Sequence, residues 1–493
     1  MVIKLSQSAL DQLPNDISTP GYDRSALTPG IVHIGVGNFH RAHQAIYLDR
    51  LFSLGGNHDW ALIGAGVRPL DIALRADLER QDWLTTVVEL DPDGLTARVC
   101  GSMIDYTEID PSMLIDTLTR PEIRIVSLTV TEGGYFVDAK TGGFDAKQPE
   151  ILADVASPDA PQTVFGILCA ALRKRHDAGV DLFTVMSCDN LPENGHVARE
   201  ATCGLATAID PDFGSWVKAN VAFPNGMVDC ITPATSDRER ALVQEKFGIE
   251  DARPVVCEPF RQWVLEDEFP QGRPALEKVG VEFVEDVAPY ELMKLRILNG
   301  GHAAIAYPSA LLGHHFVHDA MANPLIRGWL AKLAKTEIIP TVPEIPGIDF
   351  QNYLVTVTER FSNPAIGDTI PRLCLDGSNR QPKFILPAIA DRLETGGSID
   401  GLALEVALWC RYCAGLDETG NAIELDDENA DALHRTAKQT SNEPSAFLSI
   451  HSIFGDLNEN EIFVGAFSTA ISSLWRNGTR KTLSDYIAAC IRS

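Results

Sequence analysis

The stretch Ile31-Val32-His33-Ile34-Gly35-Val36-Gly37-Asn38-Phe39-His40-Arg41-Ala42-His43 decides the fold. Four residues of alternating bulk run into two glycines one residue apart, and a helix-compatible segment, Gln44-Ala45-Ile46-Tyr47-Leu48-Asp49, follows at once. That is the pattern of a strand, a tight turn and a helix. Gly35 and Gly37 lack the Cβ atoms that would keep a pyrophosphate away from the backbone, and the N–H groups and dipole of the following helix would face the anion. His40 stands where the third glycine of G-x-G-x-x-G is usual. A lone G-x-G also occurs in ordinary turns. The strand before it and the polar N-F-H-R-x-H continuation, which a plain turn does not need, favour the dinucleotide reading.

Outward from this turn, the first half alternates β-rich and helical runs. Candidate strands are 31–36, 60–65, 83–90, 97–106, 123–130, 182–187 and 281–287, with helical stretches at 45–54, 69–80, 111–118 and 163–178. Such alternation predicts a mostly parallel, doubly wound α/β sheet. After about residue 288 the texture changes: segments 291–307, 323–336, 350–362, 401–414, 459–475 and 482–491 carry helical periodicity, and β-branched runs nearly vanish. The expected organisation is a Rossmann-like nucleotide-binding domain, 1–287, followed by a mostly α-helical substrate-binding and catalytic domain, 288–493.

The formal charge of −27 repels nucleic acid and anionic membrane surfaces, so neither is expected as a partner. No N-terminal apolar segment precedes the first strand, and no apolar run approaches the ~18 residues of a membrane span. A soluble, cytoplasmic protein is expected, a monomer with a homodimer as the alternative. Ten cysteines are scattered, which suits free thiols in a reducing compartment. Cys410 and Cys413 form a C-x-x-C inside an amphipathic helical run with no second pair at zinc-site spacing, and read as core cysteines. His314, His315 and His318 lack a partner carboxylate in a recognisable motif and read as a polar helix start, so no metal site is expected.

Three polar clusters sit where α/β enzymes place ligands, at the ends of elements. They are Thr129-Val130-Thr131-Glu132-Gly133-Gly134-Tyr135, Met186-Ser187-Cys188-Asp189-Asn190-Leu191-Pro192, and Pro289 to His302 through Tyr290-Glu291-Leu292-Met293-Lys294 and Asn299-Gly300-Gly301. Around an α-helix Asn299 lies ~140° and His302 ~80° from Lys294, so all three can share one broad side, with Glu291 close enough to touch the lysine. A lysine with carboxamide and imidazole neighbours suits proton transfer at a carbinol or carbonyl. The alternative is a solvated lysine in a surface ion pair with Glu291. Asp71, after the second strand, can take the adenosine ribose hydroxyls and repel the extra phosphate of NADP, although it lies further from Gly35 than the usual ~20 residues. It can equally be a helix-terminal acid favoured by the dipole.

The motifs G-V-G-N-F-H-R-A-H, T-V-T-E-G-G-Y, S-C-D-N-L-P-x-N-G, P-N-G-M-V-D, V-C-E-P-F-x-Q-W-V-L-E-D and Y-E-L-M-K-L-R-I-L-N-G-G-H together resemble the polyol-specific long-chain dehydrogenases, the mannitol dehydrogenase family. The resemblance runs from about residue 28 to the end. It implies metal-independent, NAD-linked oxidation of a secondary polyol alcohol to a ketose, with D-mannitol and D-fructose as the pair. Carried over by position, it implies Lys294 as general base, Asn190 and Asn299 as an oxyanion hole, Glu291 as proton relay to solvent and His302 as the residue orienting substrate hydroxyls. It implies Asp229 and Arg372 as contacts to the distal polyol chain. Gly35, Gly37, Asn38 and Phe39 match the pyrophosphate turn and Asp71 the NAD-selecting position, with Arg68 beside it; Glu132 and Asn190 complete the expected cofactor contacts.

Three positions depart from the family pattern. Cys230 replaces an arginine, Arg380 a substrate-side lysine, and L-N-G-G-H replaces L-N-G-S-H at Gly301. They leave fructuronate or tagaturonate reduction and D-arabinitol oxidation open as alternatives, since a bidentate arginine suits a carboxylate. Pro382-Lys383-Phe384 is similar to the mannitol branch. A non-catalytic NAD-binding regulator leaves Lys294, Asn190 and Asn299 without a role. A zinc-dependent dehydrogenase would need a Cys/His/Glu ligand set that the sequence does not display.

Overall fold

A computed structural model describes residues 2–138 and 141–489. The chain divides into two compact units, Met1–Ala288 and Pro289–Ser493.

The first unit is built on five parallel strands: β1 (Pro29–Ile34), β2 (Ala61–Ala65), β3 (Met103–Tyr106), β4 (Ile125–Leu128) and β5 (Thr184–Ser187). Their order across the sheet is β3-β2-β1-β4-β5. In register, Ile31 sits beside Leu62 on one side and Ile125 on the other, and Leu128 pairs with Ser187. This is the doubly wound order of dinucleotide-binding sheets, and the direction of winding reverses between β1 and β4, where such sheets bind ligands. Both faces are buried, as parallel sheets require. Val32, Ile34, Val126 and Leu128 pack on one face with Leu114, Phe165 and Leu168, whereas Ile31, Leu62 and Ile125 pack on the other with Ile46, Leu51, Phe52 and Trp263. The period of two that separates Ile31 from Val32 thus supplies two cores from one strand.

The expected strand 97–106 is two strands, Thr96–Cys100 and Met103–Tyr106, in different sheets. Side chains capture the backbone at the break. The Gly101 N–H donates to Asp49 Oδ1 at 3.0 Å, its carbonyl accepts from Arg24 Nε at 3.0 Å, and the Ser102 hydroxyl donates to the Ala45 carbonyl at 2.8 Å. Sequence periodicity also misses the short strands Gly226–Asp229, Val255–Cys257 and Gln262–Glu266, and the helices Pro149–Ala156, Asn194–Ile209, Pro211–Asn220 and Asp237–Phe247.

Helices dominate the second unit. Asp400–Cys413 is its buried axis, packed against Gly300–Leu311 and Glu461–Ala488. Cys410 and Cys413 are buried on that axis. The two helices expected at 459–475 and 482–491 lie within Glu461–Ala488 and are separated at Gly478, whose φ of 76° and ψ of 169° are non-helical and suit glycine. Ile491, the end of the second expectation, lies outside the described residues.

Candidate active site

In the first unit, the C-terminal ends of β1, β2 and β4 open into a cavity of about 620 Å³. Gly35 has φ +97°, and a Cβ there would collide with the Thr129 carbonyl, so the turn admits only glycine. Gly37 is different: it faces open space, with nothing nearer to a built Cβ than the Gly35 oxygen at 3.7 Å. That leaves room for a phosphate to approach the backbone at the start of the helix Asn38–Ala42. Asn38 lines the cavity, its amide donating to Thr235 Oγ1 at 3.0 Å and accepting from Arg41 Nη2 at 2.8 Å. Phe39 does not line it; the ring stacks on His43 with centroids 4.8 Å apart.

Asp71 and Arg68 stand at the β2 side of the cavity. Asp71 Oδ2 accepts from the Val67 and Arg68 N–H groups at 3.1 and 2.9 Å, so this carboxylate shapes the loop as well as charging it. Arg41, Thr235 and Arg253 also line the cavity. Nothing in the local sequence marks Thr235 and Arg253, because only the fold brings residues 235 and 253 beside the turn. Arg41 lay within the quoted motif, and its guanidinium is 4% exposed, donating to the Arg253 carbonyl and to Asn38.

Beyond β4, Thr131 lines the cavity with φ +68° and ψ 160°, a strained conformation for a β-branched residue. Asp189 holds it there. Its two oxygens accept from the Val130 and Thr131 N–H groups, both at 2.9 Å, and from the Tyr135 hydroxyl at 2.6 Å. Burial pushes the Asp189 carboxyl up, against those three donors. Glu132 is exposed and does not line the cavity. Asn190, just after Asp189, is also exposed. The rest of the S-C-D-N-L-P-x-N-G motif is a staple: Asn194 donates to the Asp189 and Gly226 carbonyls at 3.0 and 2.7 Å, while Asn225 accepts from the Gly195 and His196 N–H groups. Asp229 ends the Gly226–Asp229 strand, buried at 5% exposure, opposite Gln262.

In the second unit, the helical geometry expected around Lys294 needs correction. The helix Ala288–Met293 passes into a π-helix, Lys294–Asn299, before Gly300–Leu311 resumes α geometry. The Gly300 N–H reaches the Leu295 carbonyl, five residues back. The five-residue hydrogen-bond spacing widens the turn beyond 3.6 residues, so Asn299 stands closer in angle to Lys294 than α spacing implies. Such π turns recur at functional sites. Lys294, Asn299, Glu291 and His302 are all half-buried. The His302 ring stacks on Phe361 with centroids 4.0 Å apart. Gly300 and Gly301 are not forced by crowding, since built Cβ atoms would meet only ordinary contacts of 3.4 Å or more.

Arg372 pairs with Asp368 through Nε and Nη2. Burial opposes ionisation of Asp368, but those bonds, the Arg372 charge and His302 hold its carboxyl below the usual range. Arg380 Nη1 donates to the Leu373 carbonyl at 2.9 Å, at the end of the helix Ile370–Cys374, so part of this guanidinium is structural. Among the described residues no group of three His, Cys, Asp or Glu is arranged to hold a metal ion, and no helix is long and apolar enough to cross a membrane.

Two family models cover most of the chain: the mannitol dehydrogenase Rossmann domain matches residues 29–278, and the mannitol dehydrogenase C-terminal domain matches 286–475. The chain belongs to the mannitol dehydrogenase family. It is 56% identical to mannitol 2-dehydrogenase of Cereibacter sphaeroides over 97% of this chain and 100% of that one. The structure of Pseudomonas fluorescens mannitol 2-dehydrogenase in ternary complex with NAD and D-mannitol is similar, with TM-score 0.85, 44% identity and coverage of 99% and 100%. A D-sorbitol dehydrogenase in substrate-free form matches with TM-score 0.91 at 36% identity, covering 97% and 100%. Against the mannitol dehydrogenase pattern, the position of Cys230 holds a buried thiol in the core cluster that contains Cys257, whose Sγ accepts from Arg261 Nη2 at 3.1 Å.

Proposed function

We propose that the chain is an NAD-dependent polyol dehydrogenase and ketose reductase whose preferred pair is D-mannitol and D-fructose. The observation that carries it is the π turn Lys294–Asn299, with Glu291 on the helix before it and His302 on the helix after it, in a chain 56% identical along its length to a mannitol 2-dehydrogenase. The cavity at β1, β2 and β4 fits a dinucleotide: an open Gly37, an N-terminal helix start and an acid at the end of β2 suit a pyrophosphate and an adenosine ribose. Gly35, Gly37 and Asn38 would hold the pyrophosphate, and Asp71 with Arg68 the adenosine side. Bound NAD supplies the hydride acceptor for oxidation.

The protein's own groups handle the proton. Lys294 Nζ takes the hydroxyl proton of the carbinol during oxidation and returns it during ketose reduction. The family resemblance gives Asn190 and Asn299 the role of donors to the reacting oxygen, and as neutral donors they would not quench the base. His302, fixed by its stack on Phe361, orients substrate hydroxyls, and Glu291 passes the lysine's proton towards solvent. Asp229, Arg372 and Arg380 would contact the rest of the polyol.

A substrate panel tests this reading. NAD reduction with D-mannitol, D-sorbitol and D-arabinitol, and NADH oxidation with fructose, fructuronate, tagaturonate and xylulose, should give the highest kcat/KM for mannitol and fructose. A uronate preferred over fructose would overturn the substrate, and no turnover with any member would overturn the activity.

A further inference from the structure

Beneath the Gly35–Gly37 turn runs a buried chain of polar side chains that cofactor contact does not explain. His33 Nδ1 lies 2.8 Å from Ser127 Oγ and His33 Nε2 lies 2.9 Å from Thr129 Oγ1. The Thr129 hydroxyl donates to the Gly35 carbonyl at 2.7 Å, and Ser127 Oγ lies 3.0 Å from Gln44 Oε1. His33 and Ser127 are 0% exposed and Gln44 2%.

Counting protons gives the chain a direction. If Ser127 donates to Gln44 and Thr129 to Gly35, each hydroxyl has spent its one proton, and both ring nitrogens of His33 must donate. That demands a buried imidazolium with no carboxylate among its hydrogen-bond partners, a costly arrangement. Burial in fact pushes the His33 pKa down to about 3, so the ring is neutral. Among the described residues Gln44 Nε2 has no hydrogen-bond partner, and amide oxygen and nitrogen are assigned from the network. Turning the Gln44 amide over gives each hydroxyl and ring nitrogen one role and leaves the Gln44 oxygen, in place of its NH2, as the unpaired atom: Gln44 donates to Ser127, Ser127 to His33 Nδ1, His33 Nε2–H to Thr129, and Thr129 to the Gly35 carbonyl.

The last bond matters because of where it points the peptide. A trans peptide carries its C=O and N–H in opposite directions, so a flip of the Gly35–Val36 unit would turn the Gly35 carbonyl away from the Thr129 hydroxyl and put the Val36 N–H in its place. Glycine offers little steric resistance to such a flip. We propose that Thr129, ordered through His33, is a positioning residue that clamps the Gly35 carbonyl and keeps its partial negative charge from turning towards the cofactor's pyrophosphate. This rests on the reading of the Gly35–Gly37 turn as the pyrophosphate cradle.

Thr129→Val keeps the shape of the side chain and removes the hydroxyl, and Thr129→Ser keeps the hydroxyl. NADH affinity, read by fluorescence titration, should fall about tenfold or more in Thr129→Val and return to within about twofold of the parent in Thr129→Ser, with the loss carried by the cofactor KM more than by kcat. A parent that binds NADH while Thr129→Val binds it equally well overturns the clamp alone. A parent that binds no NADH overturns the cradle as well. Should Thr129→Val not fold, ¹⁵N NMR of His33 in the parent decides: the clamp requires the Nε2–H tautomer. An Nδ1–H ring would take the Thr129 proton, leave the Gly35 carbonyl unclamped, and overturn the proposal.

Discussion

Glu405 lies on the buried helix Asp400–Cys413 with no exposure, and Gln381 Nε2 donates to its Oε1 at 2.8 Å. Among the described residues neither Glu405 Oε2 nor Gln381 Oε1 has a hydrogen-bond partner. An orphaned oxygen on each of two facing groups fits a carboxylic acid whose own proton bridges them. Burial supports this, pushing the Glu405 pKa up to about 8 from 4.5. Below pH ~4.5 folded and unfolded chains are both protonated, and the group does not bias folding. As pH rises towards ~8 the unfolded chain releases the proton and the folded chain keeps it, so stability falls by about 1.4 kcal/mol per pH unit, reaching about 5 kcal/mol before it levels off. Glu405→Gln replaces the acid–amide pair by an amide–amide pair of the same shape and removes the titration. Thermal unfolding of parent and variant between about pH 5 and pH 9 should give curves that nearly meet at the acid end and diverge by several degrees in Tm at the alkaline end, the variant being the more stable. Curves that stay parallel across that range would refute the protonated pair.

Asp71→Asn keeps an oxygen for the Val67 and Arg68 N–H groups and removes the charge, so it should raise kcat/KM for NADP relative to NAD by about tenfold; an unchanged ratio would leave Asp71 a loop-shaping acid only. Arg380→Lys should shift the ratio of fructose to fructuronate reduction towards fructose, because an ammonium loses the planar fork that suits a carboxylate. Since Nη1 also holds the Leu373 carbonyl, a Tm measurement separates that effect from lost structure. Prolonged dialysis against a strong chelator should leave turnover intact, and its abolition with restoration by a divalent ion would assign the chemistry to a metal.

The dinucleotide turn is legible in the sequence because its signals are local: a short apolar run, two glycines with distinct duties, and a helix start. The parallel sheet is legible for the same reason, through strands alternating with helices. What escapes are features set by partners far along the chain. Gly101 looks like the middle of a strand until Asp49 and Arg24 capture its backbone. Asp189 lies in a polar cluster that reads as a ligand site, and Asn194 and Asn225 lie in the quoted motifs, yet each holds backbone amides or carbonyls of another loop. The π turn at Lys294–Asn299 escapes because periodicity arguments assume 3.6 residues per turn, and nothing in K-L-R-I-L-N announces the fifth residue. Arg380 reads as a free fork, although the Leu373 carbonyl occupies one arm.

In the proposed mechanism Lys294 is the group that removes the hydroxyl proton. Lys294→Ala, checked for folding and for NADH binding, should lose on the order of 10²–10⁴ in the rate of D-mannitol oxidation while binding NADH nearly as the parent does. A small primary amine added to the assay should restore part of the rate. A folded Lys294→Ala that oxidises D-mannitol at close to the parental rate would contradict the mechanism.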